Sequence, residues 1–364
     1  LALLEKRPDT SERQRQELAL QIALGSVVSP VIGQSTQQVE TIYLRAKQLC
    51  QQLGEVALQV PVLWGLWRCH LNRSVLTTAR DLAEELFELA QQTENTSHLL
   101  LAREALGSTA WFGDEFDQAR EHFEQGIKLY DREQHHALAA QNGGCDPGVW
   151  CLSRLALVLW YLGYPQQALQ CNEKARALAQ ELAHPYSQVS AFDHTIRLHT
   201  FLCEEEPSRE QIRVISEQQI SLATQQGFDL LLNNGQIYQS IVQVIEGHQM
   251  SENIIQIQQN IAARKALQAE TTLPFWLHLL ALAYHCNEQT SECLDTFDEV
   301  ISMLDQTEFM NISRCDLLIL KGQLLLKQSD QIQNSVAPPQ TAEQCFQQAY
   351  KVAQKYQAKT LELR

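Results

Sequence analysis

One unit recurs along the chain, and its length limits the possible folds more than any other feature. Leu106-Gly107 runs through Gly113-Asp114 and Phe116 to Ala119, then Phe123 and Gly126. Leu66-Trp67 runs with the same spacing through Asn72-Arg73 and Leu76 to Ala79 and Ala83, and Leu280-Ala281 runs through Asn287-Glu288 to Cys293, Phe297 and Val300. Leu155-Ala156 through Gly163-Tyr164 to Ala168 and Ala175 is a fourth copy. With this register fixed, a small or apolar anchor falls at Val39, Ala79, Ala119, Ala168, Ile212, Asn253, Cys293 and Ala342. The spacing is about 40 residues, stretching to about 49 in two places.

Each unit holds two helices joined by a short polar or Gly-containing corner, which is an αα-hairpin. Ala79, Leu82, Ala83, Leu86, Leu89 and Ala90 recur with helical spacing. No stretch sustains strand-like alternation. Anchors are small because two helices approach closely there. Ser11, Ser35 or Thr36, Asp114, Pro165, Pro185, Ser208 and Ser251 mark helix starts. Two insertions interrupt the period, at 131–147 and 329–339, with Ser329 and Asp330 as stop signals before Pro338-Pro339. An acidic corner lies at Glu204-Glu205-Glu206-Pro207.

Composition narrows the function classes. The 364 residues carry 43 Asp+Glu against 28 Lys+Arg, a formal net charge of -15, which disfavours general binding to phosphate backbones. The apolar share of 45% supports a sizeable core. Ten cysteines lack any CxxC pairing and mostly sit in apolar helical stretches, as reduced buried thiols of a cytoplasmic protein do. No apolar run is long enough for a membrane span. Leu1–Leu4 reads as the tail of an earlier helix and Thr360–Arg364 as the interior of another, so the chain reads as a piece of a longer protein.

The spacing Gly107…Gly113-x-x-Phe116-x-x-Ala119-x-x-x-Phe123 resembles a tetratricopeptide repeat with a lengthened period. Longer segments add to this likeness: Pro61-Val62-Leu63-Trp64-Gly65-Leu66-Trp67, His122-Phe123-Glu124-Gln125-Gly126-Ile127, Asp146-Pro147-Gly148-Val149 and Leu182-Ala183-His184-Pro185. As a set they resemble the C-terminal repeat region of bacterial multidomain class III adenylate/guanylate cyclase (or kinase)–AAA ATPase signalling proteins. The resemblance implies an all-α, right-handed superhelical solenoid of tetratricopeptide-like helical hairpins, about eight repeats in a single array over 1–364. It implies a non-catalytic sensor or scaffold that regulates upstream cyclase or ATPase modules, with a protein or peptide partner or a small effector in its concave groove. The alternative is the inducer-binding repeat domain of a STAND-type transcriptional activator.

The residues themselves offer no active site. GxxxxGK[ST], HExxH and GxSxG are absent, and neither a cofactor nor a metal is expected. The best local metal candidate is His135, His136, Cys145, Asp146 and Cys151, but Asp146-Pro147 reads more simply as a helix start. Tetratricopeptide register places Trp64, Arg68, Glu104, Ser108, Trp111, Trp150, Ser153, Trp160, Tyr161, His194, Arg197, Tyr238, His278 and His285 on the inner face. Aromatic and arginine side chains suit a binding surface, and packing between neighbouring first helices is the competing use. Such an array predicts a radius of gyration several ångströms above the roughly 21 Å of a compact chain of this length. Solution scattering reads that value, and a result near the compact one means that the superhelix closes on itself.

Overall fold

The computed structural model describes residues 4, 8–141, 144–201, 206–266, 268–307, 309–331 and 341–363. Helical hairpins follow one another along the chain. The first three pair α1 (Ser11–Ile32) with α2 (Gln37–Leu53), α3 (Val56–Asn72) with α4 (Leu76–Gln92), and α5 (Thr96–Phe112) with α6 (Phe116–Leu129). Short helices α7 (Arg132–His135) and α8 (Ala137–Gln141) occupy the first insertion. Then α9 (Pro147–Tyr161) pairs with α10 (Pro165–Leu182), α11 (Pro185–Thr200) with α12 (Glu206–Gln226), and α13 (Asp229–Ile245) with α14 (Met250–Ala266). Finally α15 (Leu273–Cys286) pairs with α16 (Thr290–Asp305), and α17 (Ser313–Gln331) with α18 (Ala342–Lys355), followed by α19 (Lys359–Glu362). The molecule is an all-α, tetratricopeptide-like solenoid.

The two helices of a hairpin differ because their surroundings differ. First helices such as α9 and α15 are apolar on nearly every side and are buried along most of their length. Second helices such as α4 bury one stripe, here Leu76, Ala79, Leu82, Ala83, Leu86, Leu89 and Ala90, and turn a polar face to solvent. The first helices therefore form an inner layer and the second helices an outer one. Corners within hairpins repeat as well. The residue five positions before the anchor has positive φ at Ser74 (61°), Asp114 (61°), Gly163 (88°) and Glu288 (59°). Only one of these is glycine, so the other corners hold a left-handed conformation that costs about 1–2 kcal/mol each.

Glycine on one helix and an aromatic ring on the other lock the hairpins. A Cβ on Gly107 would lie 2.7 Å from the Phe123 ring, and one on Gly322 would lie 2.6 Å from Phe346. Tyr43 sits against both Gly25 and Gly65, joining α1, α2 and α3. These rings stand four residues after the anchors at Val39, Ala119 and Ala342. The anchor is small, and so is the residue under the ring.

The array is not an open one. Its second turn touches its first at three successive points, and each time the C-terminal end of a first helix is met. The N–H groups of Glu270 and Thr271 donate to the Asn72 carbonyl at 3.2 and 3.4 Å, and the Thr271 hydroxyl donates to the Leu71 carbonyl. The Met310 N–H donates to the Phe112 carbonyl at 2.9 Å, while Phe112 stacks on Phe309 with 4.9 Å between centroids. The Thr360 hydroxyl donates to the Trp160 carbonyl. The two side-chain bonds each span 200 residues, which is five repeats of about 40. Terminal helix carbonyls lack intrahelical partners, and the next superhelical turn supplies donors to Asn72 and Phe112; the Leu71 and Trp160 carbonyls, which already accept from the Ser74 and Gly163 N–H groups, gain a second donor. The accessible surface is 16528 Å², only about a tenth above the roughly 14,800 Å² of a compact monomer of this mass. A surface this near the compact value accords with a coil whose turns touch.

Other expectations need adjustment. The insertion at 131–147 is partly helical, because Asp131 caps α7 by accepting from the Gln134 N–H at 3.0 Å. Helix α17 continues through Ser329 and Asp330 to Gln331, so these residues do not stop it, and 332–339 lie outside the described residues. Glu204, Glu205 and Cys203 also lie outside them, and α12 already includes Glu206, ahead of Ser208. No helix among the described residues is long and apolar enough to cross a membrane. Nine described cysteines are free thiols, all buried except the half-buried Cys286.

Two outcomes follow from this packing. Gly107→Ala gains about 1 kcal/mol of helix propensity but overpacks against Phe123 by about 1–3 kcal/mol. A net loss is expected in denaturant melts, and Phe123→Leu should cost less in that background than in the wild type. The second concerns Asp114, which is 4% exposed and accepts from the Ile312 N–H at 3.3 Å across the turn-to-turn contact. Burial pushes its carboxyl up to about 8, against the backbone N–H groups of Ile312 and Asn311. The folded value is raised, so ionisation costs stability progressively as pH rises from the unfolded value near 4 to about 8. Asp114→Asn should flatten that decline, since Asn also tolerates positive φ; parallel melting-temperature profiles would show that the carboxyl does not ionise in this window.

Candidate functional site

Closure of the superhelix turns its axis into two internal chambers lined by first helices. The rear chamber has a volume of about 190 Å³ and lies among α9, α11, α13, α15 and α17. Leu279, Leu282, Ile245, Phe201 and Leu320 give it an apolar wall, and Tyr161, Arg197, His278, Asp316 and Gln323 supply polar groups. The Arg197 guanidinium lies over the Phe275 ring at 4.2 Å. Its Nε has no hydrogen-bond partner among the described residues. Asp316, Ile319 and Gln323 come from α17, the helix delivered by the second superhelical turn.

The front chamber is smaller, about 60 Å³, and is lined by α3, α5 and α9 with Gln34, Cys145 and Thr272 at its edges. Arg154 is sandwiched between Trp150 at 4.6 Å and Phe112 at 5.1 Å. Arg68 lies over Trp64 at 4.4 Å. Burial pushes the Glu104 carboxyl up to about 8, with Arg68 and Arg154 opposing the shift, so it is largely neutral at neutral pH. Burial lowers Arg154 to about 9, and its like-charged neighbour Arg197 adds to that.

A buried polar web lies beside the chambers. Asp193 accepts from Asn234 Nδ2 at 2.8 Å and Gln219 Nε2 at 3.3 Å. Arg264 donates to Asn234 and, at 2.8 Å, to Thr272 Oγ1, which also accepts from Trp276 Nε1 at 2.9 Å. These bonds tie α11 through α15 together beside the chamber walls.

The chambers gather six of the inner-face residues read from the sequence: Arg68, Glu104 and Trp150 in front, Tyr161, Arg197 and His278 behind. The others serve packing, because the tight coil brings neighbouring first helices into contact. Trp64 packs on Trp67 at 6.0 Å, Trp111 on Phe116 and Tyr161 at 5.5 and 5.4 Å, and Trp160 on Phe201 at 4.2 Å. Tyr238 is wholly buried against Trp276. Ser108 accepts from Trp150 Nε1 at 3.0 Å, and Ser153 is buried. His194 lies edge-on to Trp150 at 5.5 Å and bonds through Nδ1 to the Ser190 carbonyl at 2.7 Å; burial holds it well below the usual histidine range. His285 is half-buried and lines neither chamber.

Sequence reasoning passed over Arg154, although a lone charge within the apolar run of α9 was a visible signal. It could not find Asp316 or Gln323, whose arrival depends on the turn-to-turn contact. The loop considered for metal binding has other employment. Asp146 caps α9 by accepting from the Gly148 and Val149 N–H groups at 2.9 and 3.2 Å, and it also accepts from the Tyr130 hydroxyl at 3.1 Å. Gly148 lies so close under Tyr130 that a Cβ would meet the ring at 2.7 Å. His135 accepts from the Asp131 N–H at 2.8 Å, His136 lies 3.3 Å from Asp146, and Cys145 and Cys151 are buried. No group of three or more His, Cys, Asp or Glu able to hold a metal occurs among the described residues.

Solved structures share this fold. The crystal structure of a Rap protein complexed with competence and sporulation factor aligns with a TM-score of 0.57 at 12% identity, over 74% of this chain and 70% of that one. Aspartyl phosphate phosphatase F from Bacillus subtilis aligns with a TM-score of 0.57 at 12% identity, over 82% of this chain and 76% of that one. At such identity the likeness is one of fold. No family model and no curated protein matches the chain. The link to cyclase and ATPase modules rests on the sequence resemblance alone.

The packing role of the deeper aromatics has a measurable consequence. Trp160→Ala should lower unfolding free energy by about 3–5 kcal/mol. A loss below about 1 kcal/mol in a denaturant melt would place that ring outside the core.

Proposed function

We propose that this chain is a non-catalytic binding array whose axial chambers take a peptide segment or a small effector. The observation that carries this reading is the composition of the rear chamber. Its walls come from α9, α11, α13 and α15 and also from α17, so an occupant touches both superhelical turns. A ligand that fits the closed coil better than a loosened one shifts the balance between them by its difference in affinity. The Rap protein of the same fold, crystallised with competence and sporulation factor, supports a ligand-binding use of the architecture. In the parent protein, the state of the coil would then set the activity of upstream cyclase or ATPase modules, as the sequence resemblance implies.

The test is selection of short peptides from a displayed library on the immobilised chain, followed by Leu282→Trp, which fills the rear chamber from a half-buried wall position. Selected peptides should lose affinity by about tenfold or more, which is about 1.4 kcal/mol, while the melting temperature is unchanged. Binding that survives the substitution would move the ligand site elsewhere. Turnover of ATP by the purified chain would contradict the non-catalytic reading.

A further inference from the structure

The interior of this acidic protein is rich in arginine. Arg154, Arg197 and Arg264 are 6%, 5% and 3% exposed, and Arg68 is half-buried beside them. Arg264 has its partners in Asn234 and Thr272. Arg154 is different: Nε and Nη1 are both buried and have no hydrogen-bond partner among the described residues. Trp150 and Phe112 cover its two faces, and the residue forms part of the wall of the front chamber. Buried donors left without a hydrogen-bond partner are expensive and call for a specific reason. Glu104 shares the chamber, but no hydrogen bond or ion pair joins it to Arg154 among the described residues.

We infer that the front chamber is an anion site, in which the Arg154 guanidinium holds an oxyanion, carboxylate or phosphate, carried by the ligand. This deepens the binding-array reading and rests on it. A guanidinium N–H bonds an anionic oxygen more strongly than a neutral carbonyl, because both partners then carry charge. Arg68 stands across the same chamber and adds to the field. The roughly 60 Å³ available suits a small headgroup rather than a bulky side chain.

The experiment uses the whole chain and measures melting temperature in sodium phosphate, sodium acetate and sodium chloride at matched ionic strength. Phosphate or acetate should raise it beyond chloride by mass action, and which of the two does so tells a phosphate ligand from a carboxylate one. Arg154→Met should abolish the effect, and Arg154→Lys, which keeps charge without the planar guanidinium, should weaken apparent anion affinity by about tenfold. No stabilisation of the wild type beyond chloride, or an undiminished effect in Arg154→Met, overturns the inference. Should both variants fail to fold, an arsenate-soaked crystal of the wild type reads the site by anomalous scattering. Density against Arg154 upholds the inference, and an anion bound only elsewhere overturns it. An absent anion effect with peptide binding that still depends on Leu282 fails this inference alone. Loss of that dependence with the anion effect intact fails the rear-chamber reading alone.

Discussion

The carbonyls at the ends of α3, α5 and α9 hold this molecule in its shape. Each lies at a helix terminus, where acceptor capacity is left over, and each receives a donor from the second superhelical turn. A repeat protein ordinarily owes its stability to neighbours alone, as a one-dimensional sum. Here every point of turn-to-turn contact adds a bond that spans five hairpins. The axis becomes an interior, the inner-face aromatics become core, and the space left over becomes two chambers.

The hairpins set the period that makes those contacts coincide. Gly107 under Phe123, Gly322 under Phe346 and Tyr43 between Gly25 and Gly65 fix how closely the helices of each unit approach. That spacing is passed along the array, so five units return the chain to the same height. The stacked pair Phe112–Phe309 and the buried Asp114 beside Ile312 show how closely the return is fitted. The joint also contains a carboxyl that burial keeps protonated near neutral pH.

Much of this was legible in the residues. The small-residue anchors and the helical stripe of α4 follow from local periodicity, and Asp146-Pro147 was readable as a helix start. What escaped was everything that depends on superhelical pitch. Trp111 and Trp160 lie on the inner face as their register says, but nothing local tells that the next helix will press against them. Arg154 was legible as a charge in an apolar helix and was passed over because aromatics dominated the pattern. Asp316 reaches the rear chamber only because Thr271 and Met310 bring the second turn home, and no short-range signal encodes that.

The bonds spanning 200 residues also impose an order on how the native state is reached. Each hairpin gains most of its contacts within about 40 residues of chain and can form while the rest is still being synthesised. The ends of α3, α5 and α9 cannot be covered until Thr271, Met310 and Thr360 exist. For that interval the future chamber walls, with Trp150 and Phe112 among them, face water as an open trough. The nascent array thus carries an apolar seam that only the second turn can cover.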